Sequence, residues 1–240
     1  MQESLTFSVI TLFSYDNIDY LAVGTEDKII FWKTSSSKPY SDIPINFSRI
    51  AESQSLNVDL IDQDYGCSYE WIYEPPVKLH LVTSICFFQQ YLAFASKEYH
   101  TIYLLDLETR TVTNRLVGHL CGITDLIYFK TYLISTSLDH TIRTWNLEQF
   151  VSTYQFFQHD DGVITATVGE YDNADIIFAA SRDGIIQLWT TNYTVQSFEI
   201  RYDISNPDFM PICLKFLPED AKLNVITRNQ VYEYTFCRGG

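Results

Sequence analysis

The chain has little of what most functional signatures are written in. Of its 240 residues, 30 are acidic and 16 are Lys or Arg, which gives a formal charge of −14. Binding to nucleic-acid phosphates draws on clustered Lys and Arg that release counterions, so this balance argues against a direct nucleic-acid partner. It argues equally against attachment to anionic membrane surfaces. The five cysteines (Cys67, Cys86, Cys121, Cys213 and Cys237) form no CxxC pair and no regular framework. An odd, scattered count fits reduced thiols of the cytoplasm or nucleus, and no Cys/His group has the spacing of a zinc site. Only nine glycines and seven prolines are present, so no low-complexity tract dominates. No apolar run approaches the roughly 20 residues of a membrane helix. The opening MQESLTFSV lacks the basic stretch and long apolar core of a secretory signal. Neither GxxxxGK[ST] nor GxGxxG occurs, so no glycine loop cradles a phosphate. No metal and no cofactor is expected.

What the chain has is apolar and aromatic. Hydrophobic residues make up 46% and aromatics 15%, enough for one domain with a substantial core. Short alternating runs dominate, and helical periodicity is absent. SVITLF (8–13), DYLAVG (19–24) and KIIFW (28–32) read as successive strands, with TEDK as a tight turn. LVTSICFF (81–88), YLAFAS (91–96), TIYLLD (101–106) and TVTNRLVGH (111–119) read as four more. GVITATV (162–168), IIFAAS (176–181) and IIQLWT (185–190) follow, with 170–175 as a short insertion lengthening a hairpin. PICLKFL (211–217), LNVITR (223–228) and QVYEYTF (230–236) close the series. Residues 34–78 interrupt this rhythm. Residues 35–55 are polar and Ser-rich, as a surface loop is, and 52–74 hold six acids, no Lys or Arg, and Tyr65, Tyr69, Trp71 and Tyr73. SYEWIYE (68–74) can serve as an outer strand ended by Pro75 and Pro76.

The most informative stretch is 118–146, GHLCGITDLIYFKTYLISTSLDHTIRTWN. It opens on Gly-His, passes through two apolar runs to Ser-Leu-Asp-His, and closes on Thr-Trp-Asn. This resembles one unit of the WD-repeat family, whose motif runs from Gly-His to Trp-Asp within about 40–45 residues per propeller blade. The resemblance extends over most of the chain and is strongest at 118–190. It implies an all-β, WD-repeat β-propeller of about five four-stranded blades, an incomplete or imperfectly closed ring. The units fall at 5–33, 81–117, 118–157, 159–200 and 210–236, with the polar and acidic insertion at 34–78, all in one domain spanning 1–240. From Trp32 to the equivalent Leu105 is 73 positions, against 40 from Leu105 to Trp145 and 44 from Trp145 to Trp189. The excess is too short for another blade. A compact five-bladed ring, a truncated larger propeller, and a partial propeller completed by further blades or a partner chain all remain open.

His119, Ser135 and Asp139 have the residue types of a nucleophilic triad, which needs an exposed nucleophile, a base in reach and an oxyanion hole. The resemblance instead gives them, with Trp145, a structural part: a hydrogen-bonded network pinning the blade. The fourth unit keeps His159, Asp183 and Trp189 but has Ala179 where the Ser belongs. No catalytic residue is therefore assigned. His100 and His140 recur at one turn position and read as exposed turn residues rather than metal ligands.

As the family implies, the chain is read as a non-catalytic protein–protein interaction scaffold or adaptor within a larger intracellular complex. Its partners are other proteins, with basic ones allowed by the acidic surface. The alternatives are a propeller hydrolase or a substrate-recognition subunit of a ubiquitin ligase. By the same analogy the binding face displays Thr25, Glu98, Leu138, Arg182 and Arg228 from turns before third strands, and Leu120, Cys121, Asp160 and Asp161 from loops leading into blades. Trp71, in the acidic-aromatic stretch, is a further candidate anchor, since aromatic residues dominate interface hot spots.

Overall fold

Alternating apolar patterns, cut by turn residues at short intervals, leave the chain no long local structure except strands. The computed structural model describes residues 8–25, 29–34, 67–73, 81–96, 98–157, 159–190 and 195–236. They form antiparallel sheets. The first contains β1 (Val9–Tyr15), β2 (Ile18–Gly24), β3 (Ile29–Thr34) and β4 (Cys67–Tyr73). The second contains β5 (Val82–Phe88), β6 (Tyr91–Ser96), β7 (Thr101–Asp106) and β8 (Thr111–Val117). The third contains β9 (Ile123–Phe129), β10 (Tyr132–Ser137), β11 (Ile142–Asn146) and β12 (Val151–Phe156). The fourth contains β13 (Val163–Tyr171), β14 (Ala174–Ser181), β15 (Ile185–Thr190) and β16 (Val195–Arg201). The fifth, β17 (Cys213–Leu217), β18 (Lys222–Ile226) and β19 (Val231–Thr235), has three strands among the described residues. Within each sheet the strands pair in chain order, so each is an up-and-down blade. Among the described residues a 3-10 turn, Pro207–Phe209, precedes the last. The architecture is a five-bladed β-propeller.

Tight hairpins make such blades possible. Asp16 and Asn17 have φ of 51° and 59°, and Asp172 and Asn173 have 53° and 62°. Two successive left-handed residues match the right-handed twist of the flanking strands, and Asn and Asp adopt that conformation more readily than other side chains. The second of these turns agrees with the reading of 170–175 as a short insertion that lengthens a hairpin. β13 runs on through Glu170↔Asp175 and Tyr171↔Ala174, so the extra residues lengthen the ladder rather than leave it. The outer-strand reading of 68–74 agrees with β4, which pairs with β3 from Ile29↔Tyr73 to Thr34↔Cys67. The tight turn expected over 25–28 and the loop expected over 35–55 fall largely or wholly outside the described residues.

The core lies between blades. Phe13, Tyr20 and Phe31 of the first blade meet Ile85, Phe94 and Leu105 of the second, and the Phe13 and Phe87 rings stack at 4.5 Å. Leu116 and Leu104 meet Leu133 and Trp145. Ile134 and Phe156 meet Ile177 and Trp189. Phe178 and Ile186 meet Leu214 and Phe216. Leu105, Trp145 and Trp189 thus occupy equivalent places, each packed on the preceding blade. Innermost strands touch in sequence, β1 on β5, β5 on β9, β9 on β13 and β13 on β17. Among the described residues no comparable packing joins β17 back to β1. Ile10 and Leu12 on β1 are 47% and 53% exposed.

Close approach of β13 to the fifth blade depends on Gly169, where a Cβ would lie 2.6 Å from the Phe216 ring. Gly169→Val should therefore destabilise the fold by about 1–3 kcal/mol through overpacking. Phe216→Ala should cost about 3–5 kcal/mol through the cavity it leaves. Urea unfolding checks both; unchanged midpoints would show that the last blade is not docked.

Candidate functional site

The loops that carry most candidate residues share one end of the sheets, because antiparallel pairing sets the end of a second strand beside the start of the first. Leu138 N–H donates to Gly122 O at 2.9 Å, and Arg182 N–H to Gly162 O at 2.9 Å. The same join is held by side chains. Ser137 Oγ donates to Gly122 O (3.0 Å) and accepts from Asp139 N–H (3.1 Å). Ser181 Oγ donates to Asp161 O (2.8 Å) and accepts from Asp183 N–H (3.3 Å).

At this end of the third blade the four residues of the expected network come together. His119 Nδ1 lies 2.8 Å from Asp139 Oδ2, and His119 Nε2 lies 2.7 Å from Ser135 Oγ. Trp145 Nε1–H donates to the same Ser135 Oγ at 2.8 Å. Because an indole N–H only donates, the Ser135 proton goes to His119 Nε2, and the imidazole keeps its own proton on Nδ1, toward Asp139. Asp139 Oδ2 also accepts Leu120 N–H (2.8 Å). Its Oδ1 accepts Thr141 N–H (3.0 Å) and the Thr141 hydroxyl (2.6 Å). Burial alone would raise the Asp139 pKa, but the bonds from His119 and Thr141 pull it well below the usual carboxylate range. Burial lowers the His119 pKa against the pull of Asp139, which keeps the ring neutral.

This is the proton order of a nucleophilic triad, in a place where a nucleophile cannot work. Ser135 is 0% exposed and Trp145 caps its oxygen, so a substrate carbonyl has no approach. The fourth blade repeats half of the arrangement. His159 Nδ1 meets Asp183 Oδ2 at 2.9 Å, and Asp183 accepts the N–H groups of Asp160 (3.1 Å) and Ile185 (2.9 Å). Trp189 packs its ring at 5.3 Å from that of His159. Ala179 faces Gln187 across the hairpin as Ser135 faces Arg143, and His159 Nε2 is buried with no hydrogen-bond partner.

A second polar node escaped the sequence reading. Asp125, within the apolar run of β9, joins three blades. Its Oδ1 accepts the Ser84 hydroxyl from β5 (3.3 Å) and Leu126 N–H (2.9 Å). Its Oδ2 accepts the Thr165 hydroxyl (2.8 Å) and Ala166 N–H (3.3 Å) from β13. Burial raises its pKa against these four donors. The available signal was a lone acid inside ITDLIYF, since a carboxylate in such a run needs donors from outside its strand.

The candidate contact residues divide. Leu120, at 78% exposure, stands out from the rim, and Glu98, Asp160, Asp161, Arg182 and Arg228 are exposed beside the same turns. Leu138 and Cys121 are half-buried. Thr25, expected on the exposed face, is completely buried, because its carbonyl accepts Val82 N–H (3.1 Å) at the start of the second blade. Trp71 lies on β4 opposite Phe31 in the backbone ladder, and its side chain is outside the described residues. Among the described residues no group of three His, Cys, Asp or Glu is placed to hold a metal.

No protein-family model matches the chain. A stretch of 47 residues is 45% identical to part of an uncharacterized WD repeat-containing protein of Schizosaccharomyces pombe, covering 20% of this chain and 13% of that protein. Among solved structures, the computationally designed Ika8 protein superposes with a TM-score of 0.63 at 14% identity, over 95% of this chain and 58% of its own. The designed Ika4 protein superposes with a TM-score of 0.51 at 16% identity, over 65% of this chain and 91% of its own. The sequence likeness and the five-bladed architecture fit a WD-repeat-like propeller, and such propellers typically bind other proteins.

The half-formed network of the fourth blade can be completed. Ala179→Ser should supply the missing hydroxyl to His159 Nε2 and raise stability by about 0.5–1.5 kcal/mol. His119→Ala should cost more than His159→Ala, since it leaves more groups unpaired; differential scanning calorimetry orders the three. Stability should also fall on acidification. His119 and His159 have folded pKa values below the unfolded 6.5, so from about pH 6.5 downward the unfolded chain gains protons that the fold refuses. Asp139 adds a second loss below the ordinary carboxylate range of about 4, while Asp125, shifted upward, works in the opposite sense. A melting temperature that holds constant from pH 7 to pH 5 would contradict the neutral histidines.

Proposed function

We propose that the chain is a non-catalytic interaction scaffold or adaptor, a WD-repeat-like propeller that recruits protein partners through the rim at the His119 end of its blades. The observation that carries this reading is the enclosure of Ser135. The residues that resemble catalytic machinery are spent on holding a blade, while neighbouring loops present Leu120, Asp160, Asp161 and Arg182 to solvent. Exposed, chemically mixed loops on a rigid β scaffold are suited to contact a partner without remodelling. Cys86, Cys121 and Cys213 are free thiols, and burial pushes Cys86 up to about 12. The odd, scattered cysteine count supports, within the same proposal, a reducing compartment such as cytoplasm or nucleus. Membership of a particular assembly, a ubiquitin ligase included, would be set by the identity of the partner.

The test is affinity purification of the tagged chain from its native cells, with Ser135→Ala in parallel. A stoichiometric protein partner should be recovered with both forms, while Ser135→Ala melts at a lower temperature than the parent. Absence of any stable partner, combined with a hydrolytic activity abolished by Ser135→Ala, would replace the scaffold reading with an enzymatic one.

A further inference from the structure

A row of paired residues crosses the third blade from inside to outside, Asp125↔Thr136↔Ile142↔Phe156. Another crosses the fourth, Thr165↔Ala180↔Ile186↔Ile200. The second blade ends its row in the same way, with Ile102↔Leu116. In all three the last two members are buried. Ile102, Ile142 and Ile186 are at most 1% exposed, and Leu116, Phe156 and Ile200 at most 9%. The fifth blade has three members in this row, Cys213↔Ile226↔Val231, and Val231 is 59% exposed. Packing sets the equivalence. Leu223 pairs with Tyr234 and both pack on the preceding blade, as Leu133 and Trp145 do. Val231 precedes Tyr234 by the three residues that separate Ile142 from Trp145. Among the described residues no strand pairs with β19 on its outer side.

The backbone of β19 is in phase to accept one. Thr227 N–H donates to Gln230 O (3.0 Å) and Phe236 N–H to Ala221 O (2.8 Å). Hydrogen-bonded pairs in an antiparallel ladder recur at every second residue, so Tyr232 and Tyr234 also turn their N–H and C=O groups to β18. Val231, Glu233 and Thr235 turn theirs to the outer edge. Their side chains are exposed, whereas Tyr232, Tyr234 and Phe236 pack toward the fourth blade. Phe209, its ring 5.9 Å from that of Tyr232, adds to that packed side. Little guards the edge: β19 has no proline and no bulge, and its one charge, Glu233, is paired with Lys222 (2.9 Å).

We propose that the outer edge of β19 takes an extended segment of a protein partner as a fourth strand, antiparallel to β19, with an aliphatic or aromatic side chain opposite Val231. This rests on the interaction-scaffold reading above and adds to it a second surface, the outer edge of the last blade. Main-chain hydrogen bonds give such a contact its affinity, and the apolar side chain fixes its register. The fold itself shows what fits, since β8 (TVTNRLV), β12 (VSTYQF) and β16 (VQSFEIR) fill this place in their own blades. Each lacks proline, carries Leu, Phe or Ile toward its C-terminal end, and bears no net negative charge. An acidic segment would also meet the overall charge of −14. The occupant is therefore a proline-free, neutral or basic strand.

Hydrogen exchange on the intact chain, followed by NMR, tests the edge first. The amides of Val231, Glu233 and Thr235 should exchange fast, and those of Tyr232 and Tyr234 slowly. Slow exchange at all five would mean that the edge is already paired, and would overturn the site. A random-peptide display library is then selected on the chain, with Glu233→Pro and Glu233→Gln in parallel. Enriched peptides should be proline-free, should carry Leu, Ile or Phe, and should protect the amides of Val231, Glu233 and Thr235. Glu233→Pro, which removes an outward N–H, should bind them about tenfold more weakly or worse. Glu233→Gln, which removes only an exposed charge, should change binding by about threefold at most. Thr235→Pro should act as Glu233→Pro does. Both proline variants should still melt cooperatively, because those N–H groups make no bond to β18. Unfolding of both, no enriched peptide, or undiminished binding to both would each overturn the site. If a cellular partner is recovered equally well with Glu233→Pro, the edge fails while the scaffold reading stands; if the parent chain recovers none, the scaffold reading itself fails.

Discussion

A four-stranded sheet with apolar side chains on both faces can bury them only between two other sheets. That constraint organises this protein. No blade has a core of its own: Phe13 and Phe31 are covered by Ile85 and Phe94 of the next blade, and Trp145 is covered by Leu104 and Leu116 of the previous one. Each sheet is therefore stable because it has neighbours, and repetition follows from that need. Where neighbours are lacking among the described residues, the pattern changes visibly. Ile10 and Leu12 on β1 stay in water, and β17 presents Cys213 and Lys215 to solvent instead of apolar side chains.

Dry interfaces between sheets leave polar atoms few choices, and the networks of this fold are the consequence. Asp125 collects donors from three consecutive innermost strands, so one carboxylate registers β5, β9 and β13 against one another. His119, Ser135, Asp139 and Trp145 do the same across one blade, with every donor matched to an acceptor. His159 shows what the loss of a single oxygen does, since with Ala179 in place of a serine its Nε2 has no partner. Completeness falls from the third blade to the fourth, and in the second, Leu105 fills the tryptophan place by packing alone.

Much of this was legible in the residues. The offsets between Gly118, His119, Ser135, Asp139 and Trp145 specify a network because each group must reach the next, and the distances in the structure are those of hydrogen bonds. The missing oxygen at Ala179 was visible for the same reason. Asp125 was not, because its partners lie about 40 residues away on either side, Ser84 and Thr165, and no local pattern marks a contact between blades. Thr25 misled because its turn matches exposed turns elsewhere, while its carbonyl is taken by the second blade. The lengthened hairpin at 170–175 was legible, since extra residues that keep the alternation extend the ladder, here to a two-residue turn at Asp172 and Asn173.

Function, on this account, belongs to the rim and not to the buried serine. Exposure of Ser135 to a small, strongly electrophilic serine probe tests that division most directly. Folded protein would be treated with a fluorophosphonate and the modified residues located by mass spectrometry. The account predicts no adduct at Ser135, whose oxygen is enclosed between His119 and Trp145. Stoichiometric phosphonylation of Ser135 in the folded chain would contradict it.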